Sequence, residues 1–347
     1  MSSNIKVAIL GGGGFVGMET YRLLKEQADV SIEFVSSESL AGQPVEKYYR
    51  MLNSKNKQLR FKPVNHLEEG FDVVFSCLPT GILPAYIDEI KSKSKIIFNV
   101  SGDYRLTDQQ QLEKYYPQSL KTDTYLESQY YIPEFHELDK KAKIINLPGC
   151  MAVASIYSLY PLVEHNMIEG KVVIDAKTGS SGGGKRSSEH PAERAHNLRP
   201  HKVHGHRHQP EICHAFKSMF GTELDLQFST YSLDLPRGIM VTSYSQLKKN
   251  IAEVDVKKAF YQAYKDKPFI EYIKDNKSAR FNPMIKSTVG TNKVEVAAYL
   301  DGKHCVSIST LDNMIKGAAG QAIQAFNHYF DYPEMQSLNF NNEGMWP

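Results

Sequence analysis

The chain has 347 residues with 41 Lys+Arg against 39 Asp+Glu, a formal charge of only +2, which is too balanced to mark a nucleic-acid partner. Its length fits about two domains, and 41% hydrophobic with 23% charged residues is ordinary for a globular chain that buries a sizeable core. No apolar run reaches membrane-spanning length, Met1–Asn4 enters Ile5–Leu10 without the regions of a secretory leader, and the four cysteines include no CxxC pair; the expectation is a cytoplasmic protein with free thiols, off the membrane.

Val7–Leu10 reads as a buried parallel strand that enters Gly11-Gly12-Gly13-Gly14-Phe15-Val16-Gly17 and then a helix from Met18. Gly12, Gly14 and Gly17 satisfy GxGxxG, and Gly11, Gly14 and Gly17 satisfy GxxGxxG. Between a strand and a helix, such glycines let backbone N–H groups approach a pyrophosphate at the helix N-terminus. Gly11, Gly12, Gly14, Phe15, Val16 and Gly17 are therefore expected to hold a dinucleotide. The second strand, Val30–Val35, ends at Ser36-Ser37-Glu38, where the adenosine ribose is met. The hydroxyls of Ser36 and Ser37 suit the 2′-phosphate of NADP, whereas Glu38 would repel it and suit NAD. NADP is expected, with Glu38 keeping NAD open.

Phe71–Cys77 is a third strand, turning out through Leu78-Pro79-Thr80-Gly81, with Cys77 assigned to the core. Lys95–Val100 is the next, running into Ser101-Gly102-Asp103-Tyr104-Arg105, and Lys143–Asn146 is the last before Cys150. Strands alternating with helices predict a Rossmann-like, doubly wound parallel sheet, with ligands at the carboxyl ends of its strands. Leu78, Pro79 and Ser101 fall there with the cofactor residues, and Arg105 is placed to meet an anion. The polar, tyrosine-rich stretch 107–130 reads as surface.

Leu147-Pro148-Gly149-Cys150 then delivers a cysteine to an apolar helix beginning Met151-Ala152-Val153. Unpaired N–H groups and the helix dipole at that end favour thiolate over thiol. A free cysteine titrates near ~8.5, and at helix N-termini the value falls to roughly 3.5–7.5. Cys150 is the candidate nucleophile; the competing reading is a buried structural thiol.

The second half starts with a strand, Lys171–Ala176, and a glycine-rich turn, Thr178–Gly184, holding Ser181 and Gly182. Lys185–His208 follows, with six Lys/Arg against Glu189 and Glu193 and with six histidines. Metal binding through His206, His208 and Glu211 is a weak reading because no cysteine lies nearby, and no metal is expected. Nucleic-acid binding lacks interleaved aromatics. A histidine acid–base beside an anionic substrate is the third reading. Asp225–Tyr231, Gly238–Tyr244, Val294–Leu300 and Cys305–Thr310 read as strands, and Val254–Lys265 as an amphipathic helix. Few helices separate them, so a second α+β domain with a mixed, largely antiparallel sheet is expected. Ala318–Asn327 is a helix rich in small residues, and Met335–Pro347 a polar tail holding Trp346.

Taken together, these stretches resemble the N-acetyl-γ-glutamyl-phosphate reductase family, within the aspartate-semialdehyde dehydrogenase-like group. The resemblance runs along almost the whole chain. Its specific parts are the glycine turn at 11–17, Ser101-Gly102-Asp103-Tyr104-Arg105-Leu106, Pro148-Gly149-Cys150, Gly205-His206-Arg207-His208-Gln209-Pro210-Glu211, Pro236-Arg237-Gly238 and Asp312-Asn313-Met314-Ile315-Lys316-Gly317-Ala318-Ala319. Glu189–Arg194 with Leu198-Arg199-Pro200 looks like the subgroup acting on aminoadipate or glutamate joined to a small acidic carrier protein, a partner the basic loop would suit. Two departures stand out: Ser37-Glu38 where the family often has arginine, and Leu147 where it has Asn or Ser before Pro-Gly-Cys.

The resemblance implies NADP-dependent reduction of an acyl phosphate to a semialdehyde through a thioester on Cys150 in arginine biosynthesis, or the same chemistry on a carrier-linked substrate in lysine or arginine biosynthesis. His206 would be the acid–base partner, oriented by His208 and Glu211. Arg105 would hold phosphate, Arg237 a carboxylate, and Ser181, Gly182 and Asn313 would lie near the nicotinamide. It also implies a homo-oligomer, dimer or tetramer. The dinucleotide domain is expected over 1–148, completed by 316–347, with the catalytic and oligomerisation domain over 149–315. A dinucleotide-binding protein without turnover is the non-enzymatic alternative, and it leaves Cys150 unexplained.

Overall fold

Six short strands, the four central ones buried along most of their length, form the first sheet of the computed structural model, which describes residues 4–49, 59–121, 127–185, 191–274 and 281–338. They are β1 (Ile5–Leu10), β2 (Val30–Val35), β3 (Phe71–Ser76), β4 (Ser94–Asn99), β5 (Ser128–Tyr130) and β6 (Ile144–Asn146). Their order is β2-β1-β3-β4-β6-β5, with every pair parallel. Runs such as Val7–Leu10 are apolar throughout, as strands covered on both faces must be. The helix Phe15–Leu24 begins three residues earlier than the sequence reading, because Phe15-Val16-Gly17 already takes helical form. The stretch 107–130 is not surface alone. Gln109–Tyr115 is helical, and Leu112 and Tyr116 join Leu106 in a small buried cluster.

The chain divides into two compact units. One comprises Met1–Pro148 with Ala318–Leu338, and the other holds Gly149–Gly317. In the first unit the helix Gly320–Tyr329 returns to the parallel sheet. Its Phe326 ring lies 5.9 Å from Phe75 and 6.2 Å from Phe98, and Gln27 Nε2 donates to Asn327 Oδ1 at 3.0 Å.

The second unit is built on a seven-stranded sheet of β7 (Ile168–Gly179), β8 (Arg199–Lys202), β9 (Leu226–Leu233), β10 (Ile239–Leu247), β11 (Ile270–Tyr272), β12 (Val294–Asp301) and β13 (His304–Leu311). The order is β11-β12-β13-β10-β7-β9-β8; β11/β12 and β7/β9 are parallel and the rest antiparallel. The helix Cys150–Glu164 is buried mainly through apolar side chains, with small polar contacts to this sheet among them. Ser158 and Ser243 hydroxyls meet at 2.6 Å, and Ser309 Oγ donates to Ala154 O at 2.6 Å. Such pairs let backbones approach closely while satisfying buried polar atoms. Arg186, Glu189, His190 and the tail residues 339–347, including Trp346, lie outside the described residues. Among the described residues no helix is long and apolar enough to cross a membrane.

Candidate active site

In the first unit the glycine turn is built for close approach. Gly11 has φ +79°, and a Cβ there would stand 2.5 Å from Cys77 O. At Gly17 a Cβ would meet Gly11 O at 2.5 Å. Both positions therefore require glycine. Gly14 caps the helix Phe15–Leu24 without a capping side chain, and the N-terminus of a helix suits an anion. This cradle at a helix start fits a dinucleotide pyrophosphate.

Ser36 faces inward. It is fully buried, its Oγ accepts the Gly11 N–H at 2.9 Å, and its carbonyl accepts the Gly12 N–H at 2.8 Å; it shapes the turn. Ser37 is nearly buried, with its Oγ 2.6 Å from where a Gly13 Cβ would stand. Glu38 is exposed and has a local partner: its Oε1 accepts the Val64 N–H at 2.9 Å, at the start of the 3₁₀ turn Val64–His66. Cys77 Sγ lies 3.5 Å from Thr20 Oγ1, and burial pushes its thiol up to about 12, so it stays protonated.

The carboxyl ends of β4 and β6 are cross-braced. Asn99 Nδ2 donates to Asn146 Oδ1 at 2.9 Å and to Asp103 O at 2.7 Å, and Asn146 Nδ2 donates to Tyr104 O at 3.0 Å. Asp103, fully buried, accepts the Gly81 N–H at 2.9 Å and the hydroxyls of Ser101 and Ser119, each at 3.0 Å. This network joins Ser101 to the turn after β3, where Leu78 is buried and Pro79 exposed. Arg105 is 4% exposed, and its Nη2 donates to Val100 O at 2.7 Å. Gln321 Nε2 donates to Pro148 O at 2.8 Å and so fixes the end of this unit's first segment.

In the second unit Cys150 is the first residue of the helix Cys150–Glu164 and is partly exposed. Gly149 caps that helix in extended conformation, and its N–H donates to Glu211 Oε1 at 2.7 Å. Glu211 is fully buried in the first turn of a second helix, His208–Phe220. One carboxylate thus sits at the positive end of its own helix and ties down the residue before the thiol. His206 and His208, both nearly buried, have ring centroids 4.6 Å apart. The His208 N–H donates to His206 Nδ1 at 3.1 Å, so the neutral His206 ring carries its proton on Nε2. Burial, with Arg207, Lys202 and His201 adding repulsion, lowers the His206 pKa to about 3.

Ser181 and Asn313 also come together: Asn313 Nδ2 donates to Ser181 Oγ at 2.9 Å, and its Oδ1 accepts the Gly238 N–H at 2.8 Å. Gly182 belongs to the same 3₁₀ turn, Ser180–Gly183. Arg237, half-buried, has Nη1 3.7 Å from Asp312 Oδ2. Among the described residues no group of three or more His, Cys, Asp or Glu is arranged to hold a metal ion.

Residues 6–142 match the family model for the semialdehyde dehydrogenase NAD binding domain, and residues 150–313 match the semialdehyde dehydrogenase dimerisation domain. N-acetyl-gamma-glutamyl-phosphate reductase 1 of Lactiplantibacillus plantarum is 47% identical over 99% of this chain and 100% of its own length. The chain belongs to the semialdehyde dehydrogenase family. A putative LysW-L-2-aminoadipate/LysW-L-glutamate phosphate reductase of Nitrosopumilus maritimus is 33% identical over 97% of this chain and 98% of its own. Among solved structures, aspartate semialdehyde dehydrogenase II of Vibrio cholerae, complexed with ASA, has the same fold. Its TM-score is 0.72 at 13% identity, over 95% of this chain and 99% of that one.

This semialdehyde dehydrogenase-family member is therefore an oxidoreductase of the phosphate-reductase type with a domain for NAD or NADP, which sets aside a binding protein without turnover. Sequence reading missed Asp103, Asn99 and Asp312. A buried acid beside serines and glycines after a strand was the available signal for Asp103, since a carboxylate gathers backbone N–H groups there. Nothing local marks Asn99 or Asp312.

Proposed function

We propose that this enzyme reduces N-acetyl-γ-glutamyl phosphate to N-acetylglutamate semialdehyde with release of phosphate, using NADPH. The observation that carries the reading is a partly exposed cysteine at a helix start whose preceding N–H is held by the buried Glu211. In this reading Cys150 thiolate attacks the acyl carbon, and the C–O bond to phosphorus breaks with its electron pair leaving on phosphate. Bound NADPH supplies the hydride that the thioester carbon receives. The C–S bond of the resulting thiohemiacetal then breaks, releasing the aldehyde and restoring the thiolate. Arg105 holds the departing phosphate and Arg237 the substrate carboxylate. Ser181, Gly182 and Asn313 border the nicotinamide.

His206 acts as a hydrogen-bond donor to the developing oxyanion. Its Nδ1 is engaged by the His208 N–H and its basicity is low, so a neutral imidazole presenting Nε2–H is the species available. A neutral imidazole polarises an oxyanion without becoming cationic. His208 and Glu211 orient the segment. The dimerisation-domain match supports a homo-oligomer, and the chemistry fits a cytoplasmic biosynthetic enzyme. Phosphate-dependent reduction of NADP⁺ with N-acetylglutamate semialdehyde tests the reading, and no turnover with that aldehyde would overturn it.

NADP preference is the reading favoured by the Ser37 hydroxyl just past β2, beside a Glu38 whose Oε1 accepts the Val64 N–H. Ser37→Asp should lower kcat/KM for NADPH at least about tenfold relative to NADH, because like charges set side by side repel. Glu38→Gln should leave the preference as it is. Steady-state kinetics with both cofactors check this; a switch caused by Glu38→Gln would assign the ribose contact to Glu38.

A second reading keeps the chemistry and changes the acyl group to carrier-linked aminoadipate or glutamate. Relatives at 33–35% identity bear that name, and the basic stretch around β8 suits an acidic carrier. Repeating the assay with a carrier-linked semialdehyde distinguishes the two.

A further inference from the structure

β13 ends at Leu311, and Asp312 steers the chain into a π-turn, Ile315–Ala319. The Gly317 N–H donates to Asp312 O at 2.9 Å, the five-residue step of that geometry. Asp312 is fully buried and braces the turn from several sides. Its Oδ1 accepts the N–H groups of Met314 at 2.7 Å and Ile315 at 3.1 Å, and its Oδ2 accepts the Gly290 N–H at 2.8 Å. Lys316, also fully buried, sets its ammonium 5.2 Å from the Phe269 ring centre and 5.7 Å from that of Tyr157, on the helix that Cys150 begins. π-turns are rare and concentrate at functional sites.

This one is pressed against the candidate nucleophile. A Cβ built on Gly317 would lie 2.7 Å from Cys150 Cβ, closer than two non-bonded carbon atoms pack, and 3.2 Å from Cys150 Cα, a tight contact. We propose that Gly317 is a positioning residue for Cys150: the bare backbone of the π-turn is the wall on which the cysteine Cβ rests, and it sets the direction of Sγ. The proposal rests on the reading of Cys150 as nucleophile. Any side chain at 317 must push the Cys150 backbone or the turn aside, and Asp312 and Lys316 hold the turn in place. The strain therefore falls on the cysteine.

The test compares Gly317→Ala with the native enzyme and, separately, Cys150→Gly with the double variant Cys150→Gly/Gly317→Ala. In Gly317→Ala, alkylation of Cys150 by iodoacetamide should slow and its pH profile move. The kcat should fall about 10²-fold, the size of an ångström-scale misplacement, while KM for the acyl phosphate and NADPH affinity hold. The thermal midpoint should drop by several degrees in the native background and by clearly less in the Cys150→Gly background, where the 2.7 Å overlap with the Cβ is gone and only the 3.2 Å approach to the Cα remains. Native-like alkylation and kcat in Gly317→Ala, or an equal drop in both backgrounds, would overturn the proposal. Should Gly317→Ala not fold, the Cys150→Gly pair decides alone, and failure of the double variant to fold counts against it. If the cycle behaves as expected but the native enzyme reduces no acyl phosphate, the packing of Gly317 on Cys150 stands and the proposed function falls.

Discussion

Cys150→Ser should abolish reduction while leaving the dinucleotide bound. Serine keeps the size and the place at the start of the helix Cys150–Glu164 but replaces a thiol by an alcohol, a far weaker acid and nucleophile. With no thioester formed, kcat should fall by at least about 10⁴-fold, as when a nucleophile is removed from a coupled catalytic set. NADPH affinity, measured by fluorescence titration, should match the native enzyme because the glycine cradle at 11–17 belongs to the other unit. Rapid quench with labelled substrate should show no enzyme-bound acyl group. Appreciable steady turnover in the serine variant would remove Cys150 from the centre of the mechanism.

The second large effect is expected at His206. Its pKa of about 3 leaves the ring neutral across the range in which such an enzyme is assayed, so the kcat profile should carry no limb from this residue. His206→Ala should lower kcat by about 10²–10³-fold, the usual size for one lost oxyanion donor. His206→Gln, whose amide N–H can stand near the Nε2 position, should recover much of it with the same profile. A limb between pH 6 and 7 that disappears in His206→Ala would show proton transfer instead. Stability offers an independent check. The folded pKa lies below the ordinary value of 6.5, so from pH 6.5 down to about 3 the unfolded chain binds a proton here that the folded chain does not. Stability from this site is complete above 6.5 and is lost as pH falls through that window. His206→Gln should therefore melt with less dependence on pH between 4 and 6 than the native protein.

The first of these predictions rests on features that local sequence displays. A strand, a glycine run and a helix in succession announce a phosphate-binding turn because each part is written in contiguous residues. Pro-Gly-Cys before an apolar helix announces a thiol at a helix start for the same reason. What supports these features is spread along the chain. The N–H before Cys150 is held by Glu211, sixty-two residues on; Gly238 is held by Asn313, seventy-five on. Asp103 gathers donors from Gly81 and Ser119, and no spacing rule predicts such convergence. The π-turn escaped for a different reason. Ile315–Ala319 has the composition of an ordinary helix start, and its extra residue per turn follows from Asp312 binding Met314 and Ile315 rather than from any periodicity. Glu38 shows the reverse limit. An acid at the end of β2 reads as a ribose ligand; that its Oε1 also accepts the Val64 N–H is visible only once the 3₁₀ turn lies beside it.

The return of Gly320–Tyr329 to the first sheet has a consequence for biogenesis. While the polypeptide leaves the ribosome, strands β1 to β6 emerge long before the helix whose Phe326 covers Phe75 and Phe98. Throughout synthesis of the intervening unit, that aromatic face is without its native cover and stays exposed to chaperones or to unwanted association. Vectorial folding from the amino terminus therefore cannot finish the nucleotide-holding half first; nascent chains truncated before residue 318 should stay protease-sensitive there, and protection should arrive only with the final helix.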